Sequence, residues 1–328
     1  MLITATITVD DLFLVSKILS IIYSVMAVIG ILGNVLIVAT TIRSKKLRAT
    51  CNILIAIEAS CGIIVLVTQF DFTYFAFANI LIPQSMCFYV AMSAVVSMDF
   101  SVIMIAFIAL ERYLCTSYPI LHKRIKPSVY VGIACISAVI YISSFRILAY
   151  FTVVDFPVMC MIPFATFGVT VDVWFISNFC INAAVVLLYV LIQRKVKASV
   201  TDVWFISNFC INAAVVLLYV LIQRKVKASV TEMNEYNKIN KSLQTHVCVY
   251  LLGWASVFTM CIMIKFNVKD PLLSQAAIIS LGPQVYMNLS SACFVYYFRS
   301  TLYKQEIRRF LGITVAKTVS VSSMHCIN

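Results

Sequence analysis

Charge is the first thing this chain is short of. Only 12% of its 328 residues are Asp, Glu, Lys or Arg, against roughly a quarter in ordinary soluble domains. With 62% hydrophobic residues and a mean hydropathy of +0.99, a soluble domain of useful size is excluded. Histidine is scarce as well. None of His122, His246 and His325 falls into a metal-binding or nucleophile pattern, and there is no Gly-x-Ser-x-Gly sequence, so an intramembrane enzyme is disfavoured and no cofactor is expected. Residues 1–13 lack an Asn-x-Ser/Thr sequon, and the stretches 71–86 and 150–171 lack Lys and Arg altogether.

The basic residues that are present stand elsewhere. Arg43, Lys45, Lys46 and Arg48 follow the first long apolar run. Arg112, Lys123, Arg124 and Lys126 follow the third, and Arg299, Lys304, Arg308, Arg309 and Lys317 follow the last. Short clusters at alternate helix ends follow the positive-inside rule, which predicts an N-terminus outside and a C-terminus in the cytoplasm. The net charge of +12 is therefore a topological signal. It is not a nucleic-acid face, because it is dispersed over helix ends.

Apolar runs recur along the whole chain, at about 14–42, 51–70, 87–112, 127–149, 172–194, 243–264 and 272–298. An all-α membrane protein is expected, with one membrane domain over 14–298, an outer tail at 1–13 and an amphipathic helix plus tail at 299–328. Most of the twelve cysteines, Cys61, Cys135, Cys180, Cys248 and Cys261 among them, sit inside apolar runs as small packing residues. Cys87 and Cys160 fall at expected outer ends, where oxidising conditions allow a bridge.

The stretch from Cys87 to Pro119, CFYVAMSAVVSMDFSVIMIAFIALERYLCTSYP, orders the rest. As one rod it would cover about 37 Å from Cys87 to Arg112, slightly more than a bilayer core. Arg112 would then be a permanent cation at one mouth of a bundle, held by Glu111. This pattern resembles the third helix of rhodopsin-like G-protein-coupled receptors, with their acid-Arg-Tyr triplet at Glu111-Arg112-Tyr113. Gly33-Asn34 resembles the glycine-asparagine pair of the family's first helix. Tyr250 and Trp254 resemble its sixth-helix signature, and Tyr296 holds the tyrosine of its seventh-helix motif. The runs CNILI at 51–55 and YYFRS at 296–300 are similar to nematode serpentine chemoreceptors of the SX class.

The resemblance implies a seven-helix bundle and a short amphipathic eighth helix over 300–311, laid down by Tyr303, with Leu302, Tyr303, Ile307 and Phe310 toward lipid. It implies a bridge from Cys87 to Cys160, coupling to a heterotrimeric G protein through Glu111, Arg112, Tyr113 and Tyr296, and packing or switching at Asn34, Tyr250 and Trp254. An external small-molecule or peptide ligand would be lined by Ala94, Met98, Trp254 and Tyr286.

Departures from the family pattern are specific. Gly62 stands where the sodium-binding aspartate is usual, with Glu58 one turn away, so no sodium site is expected. Ala94 replaces the amine counter-ion of the third helix, and Tyr286 replaces the opsin lysine. Ser256 replaces the sixth-helix proline, and Ala292-Cys293 replace Asn-Pro. Asp99 is an intramembrane acid, expected chiefly to hydrogen-bond a neighbouring helix, and Arg146 either snorkels to headgroups or faces a ligand vestibule. A transporter or channel would need further ionisable groups along a path, and Glu58 and Asp99 alone do not make one.

Residues 172–201 are repeated letter for letter at 202–231. Architectural repeats are similar, not identical, because each copy meets different neighbours. The repeat offers an eighth apolar run. If both copies crossed, ten cations (Arg224, Lys225, Lys227, Lys238, Lys241, Arg299, Lys304, Arg308, Arg309 and Lys317) would move outside, against Lys265 and Lys269 moved inward. Seven crossings and one surplus copy are therefore predicted. The duplication and the missing motif residues leave a second reading, a receptor-derived product that no longer signals.

Overall fold

A computed structural model describes residues 7–166, 168–198, 253–254, 256–257, 259–264, 266–268 and 270–313. Helix α1 spans Val9–Arg43, α2 Thr50–Val67, α3 Gln69–Ala78, α4 Gln84–Val90, α5 Met92–Ser117, α6 Pro119–Arg124, α7 Pro127–Thr152 and α8 Val169–Ala198. After the helical residues among 253–267, α9 covers Pro271–Ile279, α10 Gly282–Arg299 and α11 Thr301–Phe310. Five stretches among the described residues are long and apolar enough to cross a bilayer: Val9–Arg43, Thr50–Ala78, Met92–Ser117, Pro127–Thr152 and Val169–Arg194.

Their burial pattern is the reverse of a soluble helix. On α1 most of the residues turned inward are small or polar (Ser16, Ser20, Gly30, Gly33, Asn34 and Thr40 among them), whereas Ile18, Val25 and Leu32 are more than half exposed. On α7, Ile136, Ile140, Ile147 and Phe151 are likewise exposed. Large apolar side chains facing out and small ones facing in are what a lipid solvent selects, because close backbone approach supplies the packing between helices. Gly30 lies against Ser290 and Gly33 against Cys293. A Cβ on either would come within 2.4 and 2.7 Å of those side chains. The Ser290 hydroxyl also donates to the Met26 carbonyl, at 3.0 Å.

Several boundaries depart from the sequence expectation. Helix α1 begins at Val9, five residues before the expected start at 14, because Thr8 and Asp11 form a capping box: the Thr8 N–H donates to Asp11 Oδ2 at 2.9 Å and the Asp11 N–H to Thr8 Oγ1 at 3.2 Å. The second run continues to Ala78 with a bend at Thr68, whose hydroxyl donates back to the Val65 carbonyl at 2.9 Å. The third run is not one rod. It is jointed at Ala91 between α4 and α5, although the Ala91 N–H still reaches the Cys87 carbonyl at 2.9 Å. Helix α7 extends to Thr152 rather than stopping at 149.

The last run also breaks, between Ile279 and Gly282. The Ile279 carbonyl would bond the N–H four residues on, but that residue is Pro283, which has none. The Tyr23 hydroxyl of α1 donates to the Ile279 carbonyl instead. Gly282 makes room for it, since a Cβ there would come within 2.5 Å of the Tyr23 ring and hydroxyl. A backbone acceptor inside a bundle is satisfied by a side chain from the neighbouring helix.

The first copy of the repeat, from Asp172, is built into α8, which packs against α5 and α7. The second copy, 202–231, and Tyr250 lie outside the described residues. Helix α11 turns away at Ser300, whose hydroxyl caps the Tyr303 N–H at 3.3 Å. Contrary to the expectation of a lipid-facing stripe, Tyr303 and Ile307 are buried against the bundle. Tyr303 stacks obliquely on Tyr296 with centroids 5.1 Å apart and shares a 3.4 Å hydroxyl contact with Thr41. Phe310 lies beneath the Arg43 guanidinium, 5.7 Å from the ring centroid.

Candidate functional site

One end of the bundle is assembled from the last turns of α5 and its neighbours. Glu111, buried, uses its two oxygens separately: Oε2 is 3.2 Å from Arg112 Nε, and Oε1 is 3.1 Å from His122 Nε2. Arg112 Nε also donates to Cys51 Sγ at 3.2 Å, so the first residue of the CNILI run touches the arginine. His122 reaches Glu111 because Pro119 starts the short helix α6 directly after α5. Sequence reading set His122 aside for want of a metal or nucleophile pattern. Its signal is its place, eleven residues after Glu111 and just past a helix-starting proline. Tyr113 does not join this set; its ring lies edge-on to Tyr118, with centroids 6.1 Å apart. Tyr296 is buried and its ring contacts Tyr303.

The opposite end is closed by the Cys87–Cys160 disulfide, with Cα atoms 5.3 Å apart. A two-stranded hairpin supports it: β1 (Ile82–Pro83) runs antiparallel to β2 (Pro157–Val158), pairing Ile82 with Val158 and Pro83 with Pro157. The Gln84 N–H donates to the Phe156 carbonyl at 3.0 Å, and Ser85 Oγ donates to Asp155 Oδ1 at 2.5 Å. The Met159 N–H donates to Gln275 Oε1 on α9 at 3.0 Å. The loop is thus fastened to two separate helix ends.

Beneath this loop lies a small cleft open to solvent, whose lining includes Gln69, Asp71, Phe72, Ala94, Cys160 and Tyr286. Of the four expected pocket residues, Ala94 and Tyr286 line it. Met98 and Trp254 are buried but stand outside its wall. The Tyr286 hydroxyl donates to Gln69 Oε1, and its ring stacks on Tyr23 with centroids 4.9 Å apart.

Two further polar centres hold the helices together. Asn34 Nδ2 points to the Leu289 carbonyl at 3.4 Å, and Gly62 leaves space for it: a Cβ at 62 would stand 2.9 Å from that amide nitrogen. The missing aspartate is therefore a close contact between the first two spans. Asp99 accepts a hydrogen bond from Trp174 Nε1 at 2.7 Å, and its second oxygen lies 3.6 Å from Arg146 Nη2. Of the two positions considered for Arg146, the headgroup one is overturned. Its side chain is largely buried and turned inward, because a fully buried carboxylate sits across from it. Trp174 was not anticipated; it is the α8 side chain that reaches Asp99.

The sequence profile described as serpentine type 7TM GPCR chemoreceptor Srsx matches residues 27–202 and again residues 195–311. The chain belongs to this family. It is a multi-pass membrane protein of the chemoreceptor class and not an enzyme. The two Srsx matches meet at 195–202, the junction of the repeat, so each carries one whole copy of the duplicated segment. No curated protein matches the chain significantly.

Proposed function

We propose that this Srsx-family chain is a heptahelical receptor of the plasma membrane that transmits binding of an external small molecule or peptide to a heterotrimeric G protein. Its N-terminus lies outside and its C-terminus in the cytoplasm, as the distribution of Lys and Arg requires. The observation that carries the reading is the pairing of Arg112 with Glu111 at the basic end of the bundle, with His122 holding the other carboxylate oxygen. A cation clamped this way is a latent contact for an intracellular partner.

Ligand binding under the Cys87–Cys160 loop favours a conformation in which the helix bearing Trp254 moves outward and Arg112 leaves Glu111 for the G protein. Tyr250, Trp254 and Asn34 serve as packing and switch residues, and Ala94 and Tyr286 line the ligand site, with Met98 and Trp254 buried outside its wall. Tyr113 and Tyr296 complete the coupling face, and lipids surround the exposed apolar stripes. One copy of the repeat serves as the fifth span, a position the first copy suits through its packing on α5 and α7.

Glu111→Gln tests this reading. Losing the carboxylate's charge is expected to raise basal nucleotide exchange on a co-reconstituted heterotrimer several-fold. An unchanged rate in a folded, inserted protein would count against it. The exact duplication supports a second reading, a product that no longer signals. Exchange at the receptor-free rate for both wild type and Glu111→Gln would favour that one.

A further inference from the structure

The buried carboxylate at the basic end has two unequal partners. Glu111 Oε1 lies 3.1 Å from His122 Nε2 in hydrogen-bond geometry. Oε2 lies 3.2 Å from Arg112 Nε but accepts no hydrogen bond among the described residues. The Arg112 Nε–H goes to Cys51 Sγ instead, at 3.2 Å. Arg112 therefore neutralises Glu111 by charge, and His122 supplies the directional contact. The two residues also differ in access to water. The His122 side chain is 23% exposed and that of Glu111 only 6%, so solvent protons reach the imidazole while the carboxylate is shielded.

The surrounding groups leave His122 as the natural proton acceptor of the cluster. From α5 it faces Glu111 and Arg112. Lys123 and Arg124 of α6, and Lys126 just beyond, are exposed, where water and salt screen their repulsion. Tyr130 of α7 borders the same carboxylate, but its hydroxyl is given to the Phe107 carbonyl at 2.8 Å. Cys51 of α2 and Tyr189 of α8 border Arg112. Histidine is the side chain whose charge ordinarily changes between about pH 5 and 8. Withdrawing an arginine from a buried carboxylate is costly because it leaves an uncompensated charge. An imidazolium on Oε1 compensates that charge and repels the guanidinium. A neutral imidazole does neither.

From this geometry we infer that His122 is a proton-operated substitute counter-ion: once protonated it holds Glu111 and frees Arg112. The consequence for signalling rests on the receptor reading given above. A fall in cytoplasmic pH then raises coupling to the G protein.

The clamp itself can be read without a G protein. Full-length protein in lipid nanodiscs is melted at about pH 6 and about pH 8. The loss of melting midpoint caused by Arg112→Ala is compared with His122, His122→Gln and His122→Lys. Helix α6 has no buried residue, so these replacements leave the bundle intact. With histidine, the loss at about pH 6 should be less than about half of that at about pH 8. His122→Gln should show a larger loss than histidine at about pH 6 and an equal one at about pH 8, and His122→Lys a small loss at both. Nucleotide exchange with a co-reconstituted heterotrimer supplies the second readout, as the ratio of wild type to His122→Gln, which cancels the G protein's own response to pH. That ratio should be about fivefold at about pH 6, equivalent to about 1 kcal/mol, and within about twofold at about pH 8. Equal losses with histidine and glutamine at about pH 6 would overturn the inference, as would active exchange with a ratio that ignores pH. The expected midpoint pattern with every protein at the receptor-free exchange rate would uphold the proton-linked contact and contradict the receptor reading instead.

Discussion

Tyr23 and Pro283 should prove energetically coupled, although one lies on the first span and the other on the last. Pro283 deprives the Ile279 carbonyl of its helical donor, and the fully buried Tyr23 hydroxyl replaces it. Tyr23→Phe removes the donor and leaves the ring, including its stacking on Tyr286. An unsatisfied buried acceptor costs about 1–3 kcal/mol in water-soluble proteins. Within a bilayer the loss is smaller, about 0.6 and at most about 1.7 kcal/mol, because the dissociated helices find other partners. The lower range governs here, since the break at Pro283 persists whether or not the helices are packed. Pro283→Ala restores an N–H at the position where the carbonyl needs it. In that background Tyr23→Phe should cost less than about half of its single-variant value, giving a positive coupling energy in a double-mutant cycle. Unfolding of the purified protein from mixed micelles by graded denaturing detergent measures all four corners. Equal losses from Tyr23→Phe in both backgrounds would refute the idea that the hydroxyl substitutes for a missing backbone donor.

Peptide mass mapping without reduction should recover Cys87 and Cys160 in one linked fragment. Cys87→Ser, Cys160→Ser and the double variant should lose about the same stability, about 2–4 kcal/mol, and a double variant markedly worse than either single one would point to separate roles. Deleting residues 202–231 should raise the amount of protein at the cell surface and keep an epitope at Asn328 inaccessible until the cells are permeabilised. Antibody access to that epitope on intact cells would overturn the seven-crossing topology.

How much of this was readable from sequence differs from element to element. Apolar run length and basic clustering located the described spans, because lipid thickness and membrane insertion depend on exactly those two linear properties. Cys87 and Cys160 were legible because each sits at a helix or loop end rather than within an apolar run. The interruptions at Thr68, Ala91 and Ile279–Gly282 were not read, since hydropathy is blind to a single hydroxyl or a missing N–H. Pro283 was visible, but its partner Tyr23 stands 260 positions earlier in the chain. The facing of α11 was misassigned for a related reason: an amphipathic pattern separates two faces without saying whether lipid or a neighbouring helix covers the apolar one. Tyr303 and Ile307 went to the bundle because Tyr296 and Thr41 offered contacts there. Arg146 and His122 were each visible as isolated polar residues. Their partners, Asp99 and Glu111, lie on α5, and only the packing of α7 and α6 against it joins them.

The central claim is that Arg112, released from Glu111, is the contact through which the receptor activates a G protein. It is tested most directly by nucleotide exchange on a heterotrimer reconstituted with the receptor in vesicles, comparing wild type, Glu111→Gln, Arg112→Ala and the double variant at equal inserted amounts. This comparison needs no known ligand. The account predicts an elevated rate for Glu111→Gln and the receptor-free rate for both proteins lacking Arg112. An Arg112→Ala protein that catalyses exchange as well as its parent would contradict it.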